Sequence, residues 1–168
     1  MRALGIRLGE RGSFLPIEGD VASEVDVRGA VEQCALTFGS LDILVNNAAI
    51  ELMGAVVDFS EEDWDRMLAV NLKGAFLFCK YAIPQMRGRR GAIVNISSVH
   101  AFVSYSGFAA YDASKSGLVG LTRALALDHA EMGFESTRSA LGMLTRHCCT
   151  SGWSTRRDDD TWRLTWHH

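Results

Sequence analysis

Between residues 14 and 133 the chain alternates short apolar runs with longer amphipathic stretches, the pattern of α/β architecture. The run at 14–21 predicts a strand ending in Gly19-Asp20-Val21. Ala30, Val31, Cys34, Ala35 and Phe38 fall on one helical face, and Gly39 is placed to end that helix. Residues 41–45 are almost continuously apolar, which predicts a strand buried on both faces. Ser60 opens a helix with Glu61, Glu62 and Asp63 in its first turn, Asp63 completing a capping box. This helix runs through Trp64, Met67, Leu68, Val70, Leu72, Ala75, Phe76 and Phe78 towards Pro84, so apolar that both its sides are expected to be covered. A second buried strand is predicted at 91–96. A helix follows at 110–131, with Leu118, Leu121, Leu125 and Ala126 on its apolar side. No internal repeat is visible.

After Gly133 the rhythm stops. Residues 134–168 carry Ser, Thr, Arg, three tryptophans and the block Arg156-Arg-Asp-Asp-Asp160, with no sustained period of two or 3.6. An irregular, poorly ordered tail is expected there. The expected division is therefore 1–133 as an α/β domain and 134–168 as the tail.

The chain has 168 residues, enough for one domain, and 48% hydrophobic content allows a buried core. A net charge of -3 and a pI near 5.9 give no electrostatic footprint for nucleic acid. No apolar stretch is long enough to span a membrane. The first residues lack the apolar core and cleavage site of a signal peptide, so the cytoplasm is the expected location. Cys34 and Cys79 lie inside helical patterns and read as small buried apolar residues. Cys148 and Cys149 are adjacent, a poor arrangement for a metal, and no metal site is expected.

The sharpest chemical feature is Tyr111-Asp-Ala-Ser-Lys115. On a helix, i and i+4 share a face. A phenol titrates near ~10 in water, too high for efficient acid–base work at neutral pH. An ammonium one turn away is expected to lower it and make the phenol a general acid or base for a carbonyl–alcohol pair. Tyr-x-x-x-Lys alone arises often by chance. Its context is more informative. Ile93-Val-Asn-Ile-Ser-Ser98 ends a strand in two hydroxyls, thirteen residues before Tyr111. A hydroxyl there can hydrogen-bond a substrate oxygen, although an isolated serine more often satisfies strand-end backbone. Asp42-Ile-Leu-Val-Asn46-Asn47-Ala48-Ala49 places paired asparagines and small residues after a strand, suited to pinning backbone and to close ligand approach. Val70-Asn71-Leu72 puts an asparagine within an apolar helix, where it either serves a site or sits on a solvated face.

Together these residues resemble the short-chain dehydrogenase/reductase family, over about 115 residues without a gap. Asn46-Asn47-Ala48-Ala49 is similar to that family's Asn-Asn-Ala-Gly motif, and Asn71, Ser98, Tyr111 and Lys115 match its catalytic tetrad in order and spacing. Asp20-Val21 matches the strand-end pair beside the cofactor adenine. The resemblance implies a doubly wound, Rossmann-like parallel sheet with NAD or NADP across the carboxyl ends of its strands. It implies Tyr111 as acid/base, Lys115 as the group that lowers its pKa and holds the nicotinamide ribose, and Ser98 as the group polarising the carbonyl. Asn71 would anchor the water of a proton relay through Lys115, and Asn47 with Ala48 would line the cofactor ribose. Hydride comes from the nicotinamide ring, leaving the protein positioning and electrostatics. The implied substrate is a small carbonyl or secondary alcohol, and Ser98-Val99-His100 is similar to glucose-dehydrogenase-like and 3-oxoacyl-reductase-like branches. His100 either lines the pocket or is structural. A homo-oligomer through helices 60–85 and 110–131 is a further expectation.

The chain also departs from the family. Gly5, Gly9 and Gly12 follow no buried strand and make no Thr-Gly-x-x-x-Gly-x-Gly turn, the phosphate cradle at a helix N-terminus. Aligned on Asp20-Val21, the family's first two strands are missing, so a partial sheet is expected. After Gly133 the family continues into a further strand and a Pro-Gly turn, where this chain reads Phe134-Glu-Ser-Thr-Arg-Ser-Ala-Leu-Gly142. Suitable codons for that segment, read in a shifted frame, give Val-Arg-Val-Asn-Ala-Ile-Cys-Pro-Gly, which predicts a frameshift near Gly133. Sequencing the DNA across that codon checks it. The alternative to an active oxidoreductase is a catalytically incompetent fragment that serves as an interaction module.

Overall fold

A computed structural model describes residues 14–88, 91–129, 138–142, 153–158 and 161–166. The chain divides into two compact units, one of Gly19–Gly142 and one of Met1–Glu18 with Met143–His168.

In the first unit, helix α1 spans Glu24–Phe38. Ser23 caps it by accepting from the Asp26 N–H at 3.4 Å. Gly39 ends it in the left-handed region at φ 73°, its N–H returning to the Ala35 carbonyl at 2.9 Å. Strand β1, Ile43–Asn46, leads into α2, Glu61–Leu68. The Ser60 cap is as expected, its hydroxyl accepting from the Asp63 N–H at 3.1 Å. Beyond α2 the expected single helix is broken by a π-helical turn at Ala69–Lys73, and it resumes as α3, Gly74–Gln85. Strand β2 is Ala92–Ser98, a short 3₁₀ turn follows at Val99–Ala101, and α4 is Ala109–Asp128. Strand β3 is Arg138–Gly142.

The sheet is parallel, in the order β1-β2-β3. Ile43 pairs with Ala92 and Asn46 with Asn95, and Val94 pairs with Arg138 and Ser98 with Gly142. Parallel neighbours need a crossover, and the helices supply it: α2 and α3 between β1 and β2, α4 between β2 and β3. One core cluster, of Cys79, Ala82, Ile83, Met86 and Ile93, joins α3 to β2 and gathers Leu41, Leu44 and Leu125 around it. A second, of Ile50, Met67, Val70, Ala110 and Tyr111, lies where β1's loop, the π turn and α4 meet. In the second unit, β4 (Trp153–Asp158) and β5 (Thr161–Trp166) pair antiparallel.

Two expectations need correction. No strand forms at 14–21: residues 14–20 have no ladder, and 21–22 turn into α1. A strand exists only through a partner's backbone groups, and no described strand pairs with this segment. Asp20 bonds locally instead, its carboxylate accepting from the Ala22 N–H at 2.8 Å and its carbonyl from the Ser23 N–H at 3.0 Å. Second, β1 is not buried on both faces, because Ile43 is 65% exposed and Val45 55%. Within 134–168 the described residues form β3, β4 and β5, whose ladder bonds need only backbone groups. Cys79 is buried as expected and Cys34 only partly so. Cys148, Cys149 and the glycines at 5, 9 and 12 lie outside the described residues. Among the described residues no helix is long and apolar enough to cross a membrane.

Candidate active site

The carboxyl end of β2 and the first turns of α4 meet the π turn, and there the four tetrad side chains are brought together. Asn71 is 2% exposed, Lys115 3%, Tyr111 4% and Ser98 5%. Burial removes the solvated-face reading of Asn71. The π turn explains how an asparagine can face inwards in this helix: the extra residue per turn rotates the side chain towards the β1 loop. Its carboxamide then pairs with both backbone groups of one residue, as a strand would. Oδ1 accepts from the Ile50 N–H at 2.8 Å, and Nδ2 donates to the Ile50 carbonyl at 2.9 Å. Nδ2 also reaches the Ser114 hydroxyl at 3.1 Å, and that hydroxyl donates to the Tyr111 carbonyl at 2.7 Å. The chain Ile50–Asn71–Ser114–Tyr111 thus ties the loop after β1 to the helix that carries the phenol.

Lys115 lies one turn along α4. Its ammonium donates to the Ile96 carbonyl on β2 at 2.9 Å and stands 5.6 Å from the centre of the Tyr111 ring. The Ser97 hydroxyl returns a bond to the Lys115 carbonyl at 3.2 Å, so β2 grips this turn of α4 twice. Burial lowers the Lys115 pKa to about 8. The Tyr111 pKa is raised, first by burial and then by the charges of Glu51 and Asp112, while the Ser98 hydroxyl beside it pulls the other way. The phenol pKa is therefore raised where a lowering was expected, because desolvation disfavours the phenolate.

Further along the same strands, the Asn46 amide donates to the Asn95 carboxamide at 2.8 Å, and Asn95 donates to the Thr122 hydroxyl at 2.9 Å. Asn46 thus fixes a side chain on the next strand rather than backbone. Asn95, Ser114 and Asp112 were not singled out in the sequence. The polar residue inside Ile93-Val-Asn-Ile and the hydroxyl between Tyr111 and Lys115 were the available signals.

Leu44, Val45 and Asn46 of β1, with Val21, Asn47, Ala48, Asn71 and Ile96, line a cavity of about 210 Å³. Gly74 sits against it, where a Cβ would meet the Val21 carbonyl oxygen at 3.0 Å. Three of the four positions matched only to cofactor binding, Val21, Asn47 and Ala48, are therefore gathered in one hollow. The fourth, Asp20, turns aside to Arg66, whose guanidinium donates to its carboxylate at 2.9 Å. Burial favours the protonated carboxyl of Asp20, but the Ala22 N–H and Arg66 outweigh it and hold the pKa below the usual value. Tyr111 and Lys115, matched to both roles, lie with Ser98 outside that lining.

The hollow runs along β1 to its carboxyl end, the end at which nucleotide cofactors bind in open α/β sheets. It is smaller than the ~300–1,000 Å³ usual for a whole ligand pocket. Among the described residues no glycine-rich turn stands at a helix N-terminus to hold a pyrophosphate, and no group of three metal-ligating side chains occurs.

Comparison with known proteins agrees with this geometry. A family profile for short chain dehydrogenases matches residues 2–149. An uncharacterized oxidoreductase of Thermotoga maritima is 47% identical over 118 residues, covering 70% of this chain and 46% of the relative. A 3-oxoacyl-(acyl-carrier-protein) reductase of Staphylococcus aureus is 40% identical over 129 residues, covering 76% of this chain and 52% of the relative. A solved short-chain dehydrogenase/reductase mutant from Serratia marcescens superposes with a TM-score of 0.77 at 36% identity, over 80% of this chain and 56% of that one. A solved short chain dehydrogenase from Mycobacterium smegmatis gives 0.75 at 32%, over 80% and 56%. The chain spans about half the length of the curated relatives it matches.

Proposed function

The chain belongs to the short-chain dehydrogenase family, and from that premise we propose that it serves an oxidoreductase interconverting a small carbonyl compound and its secondary alcohol with NAD or NADP. The observation that carries this reading is the buried network joining Asn71, Ser114 and Tyr111, with Lys115 beside it on the same helix. A nicotinamide cofactor, when bound, supplies or accepts the hydride. Val21, Asn47 and Ala48 would hold part of it in the cavity, and Lys115 would reach its ribose.

The protein's part is proton transfer and alignment. Tyr111 gives its phenolic proton to the oxygen of a carbonyl substrate and takes it back from an alcohol. A pKa raised by burial keeps that phenol protonated at neutral pH, which suits carbonyl reduction. The Lys115 ammonium stabilises the phenolate as it forms. Ser98 donates its hydroxyl to the same substrate oxygen. Asn71 fixes the π turn and the β1 loop so that a proton path through Lys115 keeps one geometry. The substrate class proposed is glucose-dehydrogenase-like or 3-oxoacyl-reductase-like, and a soluble cytoplasmic setting is part of the same proposal.

The test is saturable quenching of NADH or NADPH fluorescence by the whole chain, followed by carbonyl reduction in wild type and Tyr111→Phe. The expected result is cofactor binding in both and a loss of turnover in the variant of about 10²–10⁴-fold. Equal turnover in the two overturns the assignment. Absence of saturable binding favours the second reading, an interaction module pairing through 60–85 and 110–131. The half-exposed Phe76 and the exposed Leu127 on those helices support that reading.

A further inference from the structure

The segment between β2 and α4 has a hydrogen-bonded chain of its own. The Ser98 hydroxyl accepts from the His100 N–H at 3.3 Å. The His100 ring meets Asp112 at 2.7 Å through Nδ1, with side chains only 14% and 15% exposed. A carboxylate oxygen accepts, so Nδ1 carries the proton. The Ser104 hydroxyl donates to the other oxygen of Asp112. Asp112 follows Tyr111 in the first turn of α4. The histidine therefore bridges the strand end that carries Ser98 and the helix turn that carries the phenol.

Its ring also covers the phenol. It stands edge-on to Tyr111 with centroids 5.3 Å apart, and it packs against Phe108 at 4.6 Å and Tyr105 at 5.3 Å. The backbone bond at Ser98 has a chemical consequence. A serine hydroxyl has one proton and two lone pairs. The His100 N–H occupies a lone pair, which leaves the Ser98 proton to be donated elsewhere.

We propose that His100 is a positioning residue for the Ser98–Tyr111 pair. Asp112 and Ser104 clamp its ring as a wall over the phenol, and its N–H turns the Ser98 hydroxyl proton towards the reacting oxygen. This rests on reading Tyr111 as the proton-transferring group. The other charged groups facing the phenol are Glu51, Asp112 and Lys115, and of these Asp112 is the one bonded to His100.

The experiment follows the Tyr111 ring-carbon resonance, assigned with Tyr111→Phe, through an alkaline titration of the whole chain. Wild type is compared with His100→Ala and His100→Asn. Burial is the first cause of the raised Tyr111 pKa, so uncovering the ring in the alanine variant lowers the midpoint towards the ordinary value. Asparagine places a donor nitrogen near the position of Nδ1, and through Asp112 it restores most of the wild-type midpoint. In parallel, kcat in the alanine variant falls about ten- to a hundred-fold while KM changes less. Equal midpoints in wild type and His100→Ala overturn the proposal, and so does failure of asparagine to restore. Should His100→Ala not fold, Ser104→Ala removes only the outer end of the clamp. It gives a smaller shift of the same sign, and no shift overturns the proposal. A raised wild-type midpoint without any turnover sinks the reading of Tyr111 as proton donor and leaves the clamp standing.

Discussion

The two ends of β1 differ sharply. At its carboxyl end every buried polar group is answered: Asn46 by Asn95, Asn95 by Thr122, and the Ile50 peptide by Asn71. On its outer face Ile43 and Val45 stand in the open, and on α1 Leu36 does as well. The same short strand thus borders a dense polar network and a bare apolar surface. Buried hydrogen-bonded networks specify one geometry because any unanswered group is costly. Exposed apolar side chains specify nothing locally. The chemistry-bearing half of this sheet is defined by the chain's own residues, whereas the outer face of β1 has no such definition.

The largest expected effect on this contrast is at Asn71. Asn71→Ala leaves the N–H and the carbonyl of Ile50 buried and unpaired, and removes a partner of Ser114. Each stranded group costs about 1–3 kcal/mol, so a loss of about 3–5 kcal/mol is expected in urea unfolding. A loss within about 0.5 kcal/mol, the range of ordinary surface substitutions, would show that the network does not fix the site.

Next comes Lys115. It titrates at about 8 in the folded chain and near ~10.4 when unfolded. Between those values the unfolded state binds more protons, so stability rises with pH through that window and is lost again as pH falls through about 8. The expected rise is up to about 3 kcal/mol. Tyr111, raised by burial, works in the opposite sense above its ordinary value, which confines the clean reading to the lower part of the window. In Lys115→Met the rise disappears. A wild-type curve that is flat from neutral pH to 10 would mean that the ammonium is not desolvated.

What the sequence made legible divides along the same line. The Tyr111–Lys115 pair needs only helical spacing, which is local, and both side chains sit together in the structure. The Ser60 and Gly39 caps were legible for the same reason. Asn71 was harder, since a straight amphipathic helix and one with a π turn have the same apolar pattern. Resemblance to a family, rather than periodicity, marked it. The sign of the Tyr111 shift was not legible at all: spacing shows the ammonium but not the burial that raises the phenol's pKa. Nor was the state of 41–45, because an apolar run reports what a strand could bury and not what lies against it. Arg138–Gly142 escaped because its backbone, not its side-chain pattern, completes the ladder with β2.

The smallest expected effect tests the bare face directly. Ile43 and Ile93 lie on the paired strands β1 and β2, yet Ile93 is buried in the core with Met86 and Cys79 while Ile43 faces outwards. Ile93→Ala should cost about 2–5 kcal/mol, the usual range for truncating a buried isoleucine. Ile43→Ala should change stability by no more than about 0.5 kcal/mol. Both are read from urea midpoints at one protein concentration, and Ile43→Ala again after tenfold dilution. If Ile43→Ala costs as much as Ile93→Ala, the outer face is covered in solution. A cost that vanishes on dilution identifies the cover as another molecule, because only an intermolecular contact weakens by mass action.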